Sequence, residues 1–178
     1  MDGGLEIAAC ESWPILLARI DPRKEEFTLR FEKEIEIQKS RDEVWRFLWD
    51  VDRFIACIPG CKEASTVEPR KSYKAMMVEK VGPFRVEFPM QIDVIQSEEM
   101  SYIKAQASGN DNRVGSRMKV ELEVGLKEAG DKTVLSLAAS VDILGKLAAL
   151  GHSMIKRKAD QVMDEFAQAL KKRLEGES

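Results

Sequence analysis

Few residues in this chain have the types and spacing for chemistry. In "FIACIPGCKEAS", Cys57 and Cys61 bracket an Ile-Pro-Gly, and the remaining soft donors are Cys10 and the single histidine, His152. A Cys-x3-Cys pair admits three readings: half of a metal site, a redox pair, or a sharp corner with a thiol on either side. A structural zinc takes four nitrogen or sulfur ligands. Here only Cys10, near the start of the chain, and His152, far along it, are left to complete the set. A disulfide across the corner is sterically conceivable. However, an odd, low cysteine count with no secretory signal fits a reducing compartment, where thiols stay reduced. The corner reading asks least. Cys57 ends a short helix as a small apolar residue, Pro59-Gly60 makes the turn with Gly60 free to take positive φ, and Cys61 opens a strand. No metal site is expected.

His152 is read either as a surface or packed side chain or as a proton donor inside a cavity. It has no carboxylate neighbour in sequence, which favours the former. Asp50, Asp52, Glu79, Glu87 and Asp93 form no spaced pair of the kind acid–base catalysis uses, and a solvated sheet face accounts for most of them. No phosphate-cradling glycine loop or dinucleotide fingerprint is present. "GNDNRVG" is a hairpin turn rich in residues that tolerate positive φ. The sequence therefore offers no catalytic residue.

The elements that must position these residues follow from periodicity. "FTLRFEKEIEI" alternates, with Phe27, Leu29, Phe31, Lys33, Ile35 and Ile37 on one face of a strand. Ser40 followed by Glu43 is a capping box, so a helix starts at 41 and buries Val44, Phe47 and Leu48. A second short helix is predicted over 51–57, ending before Pro59. Six strands then follow at hairpin spacing, which implies an antiparallel sheet. Along "FRVEFPMQIDVI" the residues Phe84, Val86, Phe88, Met90, Ile92 and Val94 face one way. Pro89, on the opposite face, suggests an edge strand or a bulge. Met118, Val120, Leu122, Val124 and Leu126 form the inward side of a later strand. From Gly145 to about 174 the spacing turns helical. Leu147, Leu150, Met154, Val162, Phe166, Ala169 and Leu170 lie along one face, and Lys171, Lys172 and Arg173 suit the dipole at the helix end. This helix is the only element large enough to cover the sheet. Gly145 and Gly151 in its first turns allow either close packing on the sheet or room for a ligand.

At 178 residues the chain is one ordinary domain with enough length to bury its own core. Its net charge of −3 argues against nucleic acid as a partner. No apolar run approaches the roughly 18 residues a membrane span needs. A cytoplasmic location is expected, with any membrane contact peripheral at the inner face. Residues 1–26 stand apart from the domain expected over 27–178. They are read as an overlong start, a loosely docked extension, or an interfacial anchor built on Trp13, Ile15, Leu16 and Leu17, although the basic polar face usual for such anchors is missing.

Four blocks, "EVWRFLWDVDRFIACIPGCKE", "VGPFRVEF", "ASGNDNRVGSRMKVELEV" and "ILGKLAALGHSMI", resemble in order the blocks of the CoxG family of carbon monoxide dehydrogenase proteins. The likeness runs from about 28 to 174. It implies an α+β helix-grip fold of the START-like (SRPBCC) superfamily, in which a curved antiparallel sheet of about seven strands wraps a long C-terminal helix, with two short helices after the first strand. It also implies a non-catalytic accessory role beside molybdenum hydroxylases of the carbon monoxide dehydrogenase type, and a hydrophobic ligand between sheet and helix. The expected lining is Phe84, Phe88, Met90, Met118, Leu122, Leu147, Leu150 and Met154, which alternate inward or fall on the helix stripe. Methionine is abundant among the apolar positions, either as ordinary core filler or as a deformable lining. The ligand expected is lipid- or quinone-like, with no tightly bound cofactor, and the partners are that small molecule and the molybdenum hydroxylase. An alternative is an enzyme of the polyketide cyclase or hydratase kind found elsewhere in the superfamily. The almost wholly apolar inward faces speak against it, and contacting ionisable side chains inside the cavity would speak for it.

Overall fold

The structure is a computed structural model that describes residues 26–176. The 1–26 extension, with Trp13 and Cys10, therefore lies outside the described residues apart from Glu26. The chain runs β1 (Glu26–Ile37), α1 (Arg41–Trp49), α2 (Val51–Ile55), β2 (Cys61–Glu68), β3 (Ser72–Val81), β4 (Phe84–Glu98), β5 (Tyr102–Asp111), β6 (Ser116–Ala129), β7 (Lys132–Gly145), a single 3-10 turn (Ala148–Leu150) and α3 (His152–Glu175). The seven strands form one antiparallel sheet in the order β1-β7-β6-β5-β4-β3-β2. The first strand therefore pairs with the last: the Thr28 hydroxyl donates to Asp142, 114 residues further on. The helices α1 and α2 link the two edge strands, and α3 returns across the inward face.

Local signals explain the boundaries. Ser40 caps α1 as its sequence requires. Its hydroxyl accepts the Glu43 N–H and the Glu43 carboxylate accepts the Ser40 N–H, leaving fewer orphan donors at the helix start. The Asp50 side chain caps α2 in turn through the Arg53 N–H, and the helix closes at Ile55, two residues earlier than expected.

Two expectations need correction. Pro89 sits on neither an edge strand nor a bulge: β4 lies between β3 and β5, and the bulge falls further along, between Val94 and Gln96. The proline is tolerated because the β4–β5 ladder ends one residue away, at Met90 and Gly109. Strand N–H groups alternate sides, so the Pro89 nitrogen points the same way as that of Glu87. The Glu87 N–H is taken not by a strand carbonyl but by the carboxylate of Asp111, at 2.8 Å. Pro89 thus lacks a donor where β5 has already diverged.

The second correction concerns the last helix, which begins at His152 rather than 145. Gly145 and Gly151 hold φ of 86° and 89°, left-handed values outside any helix, so both mark bends instead of helical turns. Restarting at 152 changes the phase of the stripe. Ile155, Phe166, Ala167, Leu170 and Leu174 are buried, and Met154 is 39% exposed.

Between sheet and helices the apolar residues gather in two groups. One joins Ile35, Ile37, α1, Val124, Leu135 and the C-terminal half of α3 through Phe166 and Leu170. The other joins Leu29, Val86, Phe88, Met90, Ile143, Leu147 and Ile155 at the opposite end of the grip.

Candidate ligand cleft

Between the two buried groups the inward face changes character. On α3 no residue from Lys156 to Glu165 is buried, and the apolar side chains there, Ala159, Val162 and Met163, are half-exposed. Opposite this stretch lies a band of half-exposed apolar side chains: Phe31 on β1, Val141 on β7, Val120 and Leu122 on β6, Ala105 and Ala107 on β5, and Ile92 on β4. Register places them together. Val120 stands across from both Val141 and Ala107, and Ala107 across from Ile92. Inward-facing apolar residues normally seal against a covering helix. Here they seal at both ends and not in the middle, and the alanines of β5 leave the floor low. The result is an apolar cleft that opens between the sheet and the central turns of α3.

The expected lining residues divide between core and cleft. Phe88, Met90 and Leu147 are buried in the second apolar group, with Phe84, Met118 and Leu150 packed half-buried against it. Leu122 packs against the first group, on the far side of the cleft. Met154 lies beside Gly82 in the β3–β4 turn, as does Leu150. The structure brings most of these side chains to one end of the grip, with Leu122 apart. Sequence reasoning does not single out Phe31, Ile92, Ala105, Ala107, Val120 or Val141 as lining, although several alternate onto the inward face. Alternation identifies which way a side chain points, but not how far the helix stands off from it.

The inward face is also less apolar than expected. Glu79 on β3 points inward, paired across the strands with Val86, and its carboxylate meets Lys158 of α3 at 2.8 Å. Lys33 on β1 likewise pairs with Asp164 of α3. The helix is thus tied by one ion pair to each side of the grip, with its half-buried turns between them. Other inward polar groups are spoken for. The Tyr73 hydroxyl accepts the Arg70 N–H at 2.7 Å, and the buried Thr133 hydroxyl donates to the Lys39 carbonyl. The indole N–H groups of Trp45 and Trp49 on α1 have no partner among the described residues.

The thiol corner abuts this arrangement. Cys57 is buried and its thiol donates to the Arg53 carbonyl, while Cys61 begins β2, opposite Met77. Gly60 takes a φ of 74°. A Cβ there would stand 2.6 Å from the Glu79 carboxylate and 2.7 Å from the Val78 carbonyl. The corner therefore packs its backbone against the residue that holds Lys158. Burial pushes both thiols up, and Arg173 and Arg53 offset this only in part at Cys57. A protonated thiol is a poor nucleophile and a poor metal ligand. No three-residue group of His, Cys, Asp and Glu suited to a metal occurs among the described residues. His152 opens α3, exposed, its ring edge-on to Phe27 at 5.5 Å. No described helix is long and apolar enough to cross a membrane.

Solved structures share this architecture. A conserved protein from Geobacillus kaustophilus matches with a TM-score of 0.73 at 24% identity, over 82% of this chain and 95% of that one. A START superfamily protein from Mycobacterium smegmatis matches with a TM-score of 0.67 at 16% identity, over 84% and 99%. The Zhui aromatase/cyclase from Streptomyces matches with a TM-score of 0.64 at 14% identity, over 83% and 94%. At these identities the likeness is one of fold, the START-like helix grip. A search of curated protein sequences finds no match. The model of the carbon monoxide dehydrogenase family CoxG covers residues 34–175, from the second half of β1 to the last residue of α3. Sheet, cleft and covering helix all fall within that span, and the chain belongs to the CoxG family of carbon monoxide dehydrogenase proteins.

Proposed function

We propose that this protein is a non-catalytic accessory component of a carbon monoxide dehydrogenase-type molybdenum hydroxylase system, and that it holds a lipid- or quinone-like molecule in the cleft under α3. The observation that carries this reading is the half-exposed apolar band between two sealed groups. Such a surface gains free energy by taking up an apolar guest, and sites of this kind are concave, mostly apolar and largely pre-formed. Covering about 300 Å² of apolar ligand surface would contribute roughly 7 kcal/mol before the costs of association, which sets net affinity at micromolar or weaker unless polar groups add to it. The family description supports the link to the dehydrogenase. A carrier of this type would serve a redox enzyme from the cytoplasmic face of the membrane, by peripheral contact.

The test is native mass spectrometry and solvent extraction of protein purified without detergent, followed by titration with lipids and quinones. A co-purifying lipophile or saturable binding is expected. Neither being found would leave only docking to the enzyme or the membrane.

A second reading has one specific observation in its favour. Glu79 and Lys158 are contacting ionisable side chains on the inward side, the feature that a cyclase- or hydratase-like enzyme would need. The two readings separate in a Glu79→Gln, Lys158→Met variant. A carrier retains ligand uptake, whereas an enzyme using the pair loses turnover while still binding its substrate.

A further inference from the structure

We propose that the outer face of the sheet carries an oxyanion site, independent of the cleft, that takes a phosphate group. The divergence of β4 from β5 beyond Pro89 leaves a depression of about 530 Å³ on that face. Its polar lining comes from three strands and one turn: Gln91 on β4, Ser108 and Asn110 on β5, Arg117 and Lys119 on β6, and Asn112 in the hairpin. A smaller depression of about 210 Å³ adjoins it and shares Asn110, Asn112 and Arg117.

The only charged residues lining the larger depression are the two cations, although the chain as a whole is acidic. The neighbouring carboxylates are engaged elsewhere. Asp142, across from Lys119 on β7, accepts from the Thr28 hydroxyl, and Glu121 accepts from the Gln106 amide. Asp111, next to Asn110 in the chain, is 3% exposed and turned to the N–H groups of Glu87, Arg113 and Val114. Arg117 is held in place: its Nε donates to Asn110 Oδ1 at 2.9 Å. That bond fixes the guanidinium plane and leaves its outer N–H groups to grip an oxyanion in two-pronged fashion. Lys119 follows two residues on along the same outward face, about 7 Å away by strand geometry, and forms no ion pair among the described residues. A guanidinium, an ammonium and several neutral donors exceed what the two oxygens of a carboxylate can use. They suit the larger set of acceptors on a phosphate.

The phosphate could belong to a small soluble molecule or to a phospholipid head group, and the experiment separates these sources. Nitrogen-15 NMR of the full chain follows the Arg117 Nε–H, the Asn110 and Asn112 amides, and the Ser108 and Gly109 backbone. The titrants are inorganic phosphate and glycerol 3-phosphate, with acetate and chloride at matched ionic strength as controls. In parallel, the protein is sedimented with phosphatidylglycerol and phosphatidylcholine vesicles. Arg117→Gln and Lys119→Gln, both at exposed positions, are checked for fold by circular dichroism. Saturable shifts at these residues with soluble phosphate, weakened roughly tenfold or more in either variant, assign a soluble ligand. Binding to phosphatidylglycerol alone that depends on the same two residues assigns a head group. The proposal is overturned if neither probe binds, if the variants bind as well as the parent, or if acetate matches phosphate.

Discussion

Asp111 is the residue that holds the fork of the sheet together. Its carboxylate receives three backbone N–H groups, and the Arg113 guanidinium lies 3.6 Å away. Burial works to raise its pKa. The N–H groups of Glu87, Val114 and Arg113, with the Arg113 charge, outweigh that and hold it below the ordinary aspartate value. The unfolded carboxyl titrates near about 3.9. The stabilisation is therefore complete above about pH 4 and is lost as the pH falls through the lower, folded value. Asp111→Ala is expected to cost about 1.5–3 kcal/mol at pH 7, with the gap from the parent narrowing in acid, as read by urea unfolding at several pH values. The thiols give a second test at this scale. Buried and raised in pKa, Cys57 should alkylate far more slowly in the native protein than in urea at pH 8, measured peptide by peptide. Fast native labelling at Cys57 would contradict the packed-corner account.

Among the elements, α3 carries the most consequence. Its C-terminal half is anchored by Phe166, which meets Phe54 edge-on at 5.7 Å. Phe166→Ala is expected to cost about 3–5 kcal/mol in chemical unfolding. The N-terminal half holds by Ile155 and the two ion pairs, so hydrogen exchange should be faster there than beyond Phe166. Much of this element pattern is legible in the sequence. The Ser40–Glu43 box places α1, period two places the strands, and the spacing of Phe166 and Leu170 places the buried side of α3. What misleads is Gly151. A glycine within apolar helical spacing reads as a tolerated residue, but its left-handed φ restarts the helix in a new phase and exchanges Ile155 for Met154 as the buried residue. Glu79 is equally opaque, since its partner Lys158 lies on another element and only tertiary packing brings the two together. The cleft itself cannot be read from sequence, because it depends on the stand-off between α3 and the alanines of β5.

At the scale of the whole molecule, the carrier reading predicts that the cleft can be filled without harm to the fold. Ala107 is half-exposed between Ile92 and Val120 on neighbouring strands, where an aromatic side chain suits a strand. Ala107→Phe should abolish uptake of lipophiles while leaving the melting temperature unchanged or higher. Retained binding in a folded variant would move the ligand elsewhere. The pairing of the first strand with the last sets a separate condition on how the protein is made. A ribosome releases β1 long before β7 exists, and until β7 emerges β1 has no neighbour along its inner edge. Such non-local pairing is slow and leaves a strand edge exposed to other chains. Nascent chains arrested before residue 132 should therefore stay protease-sensitive throughout, and protection of β1 should appear only once the C-terminal helix has cleared the exit tunnel. The last part of the chain to be synthesised thus decides when the first part becomes structured.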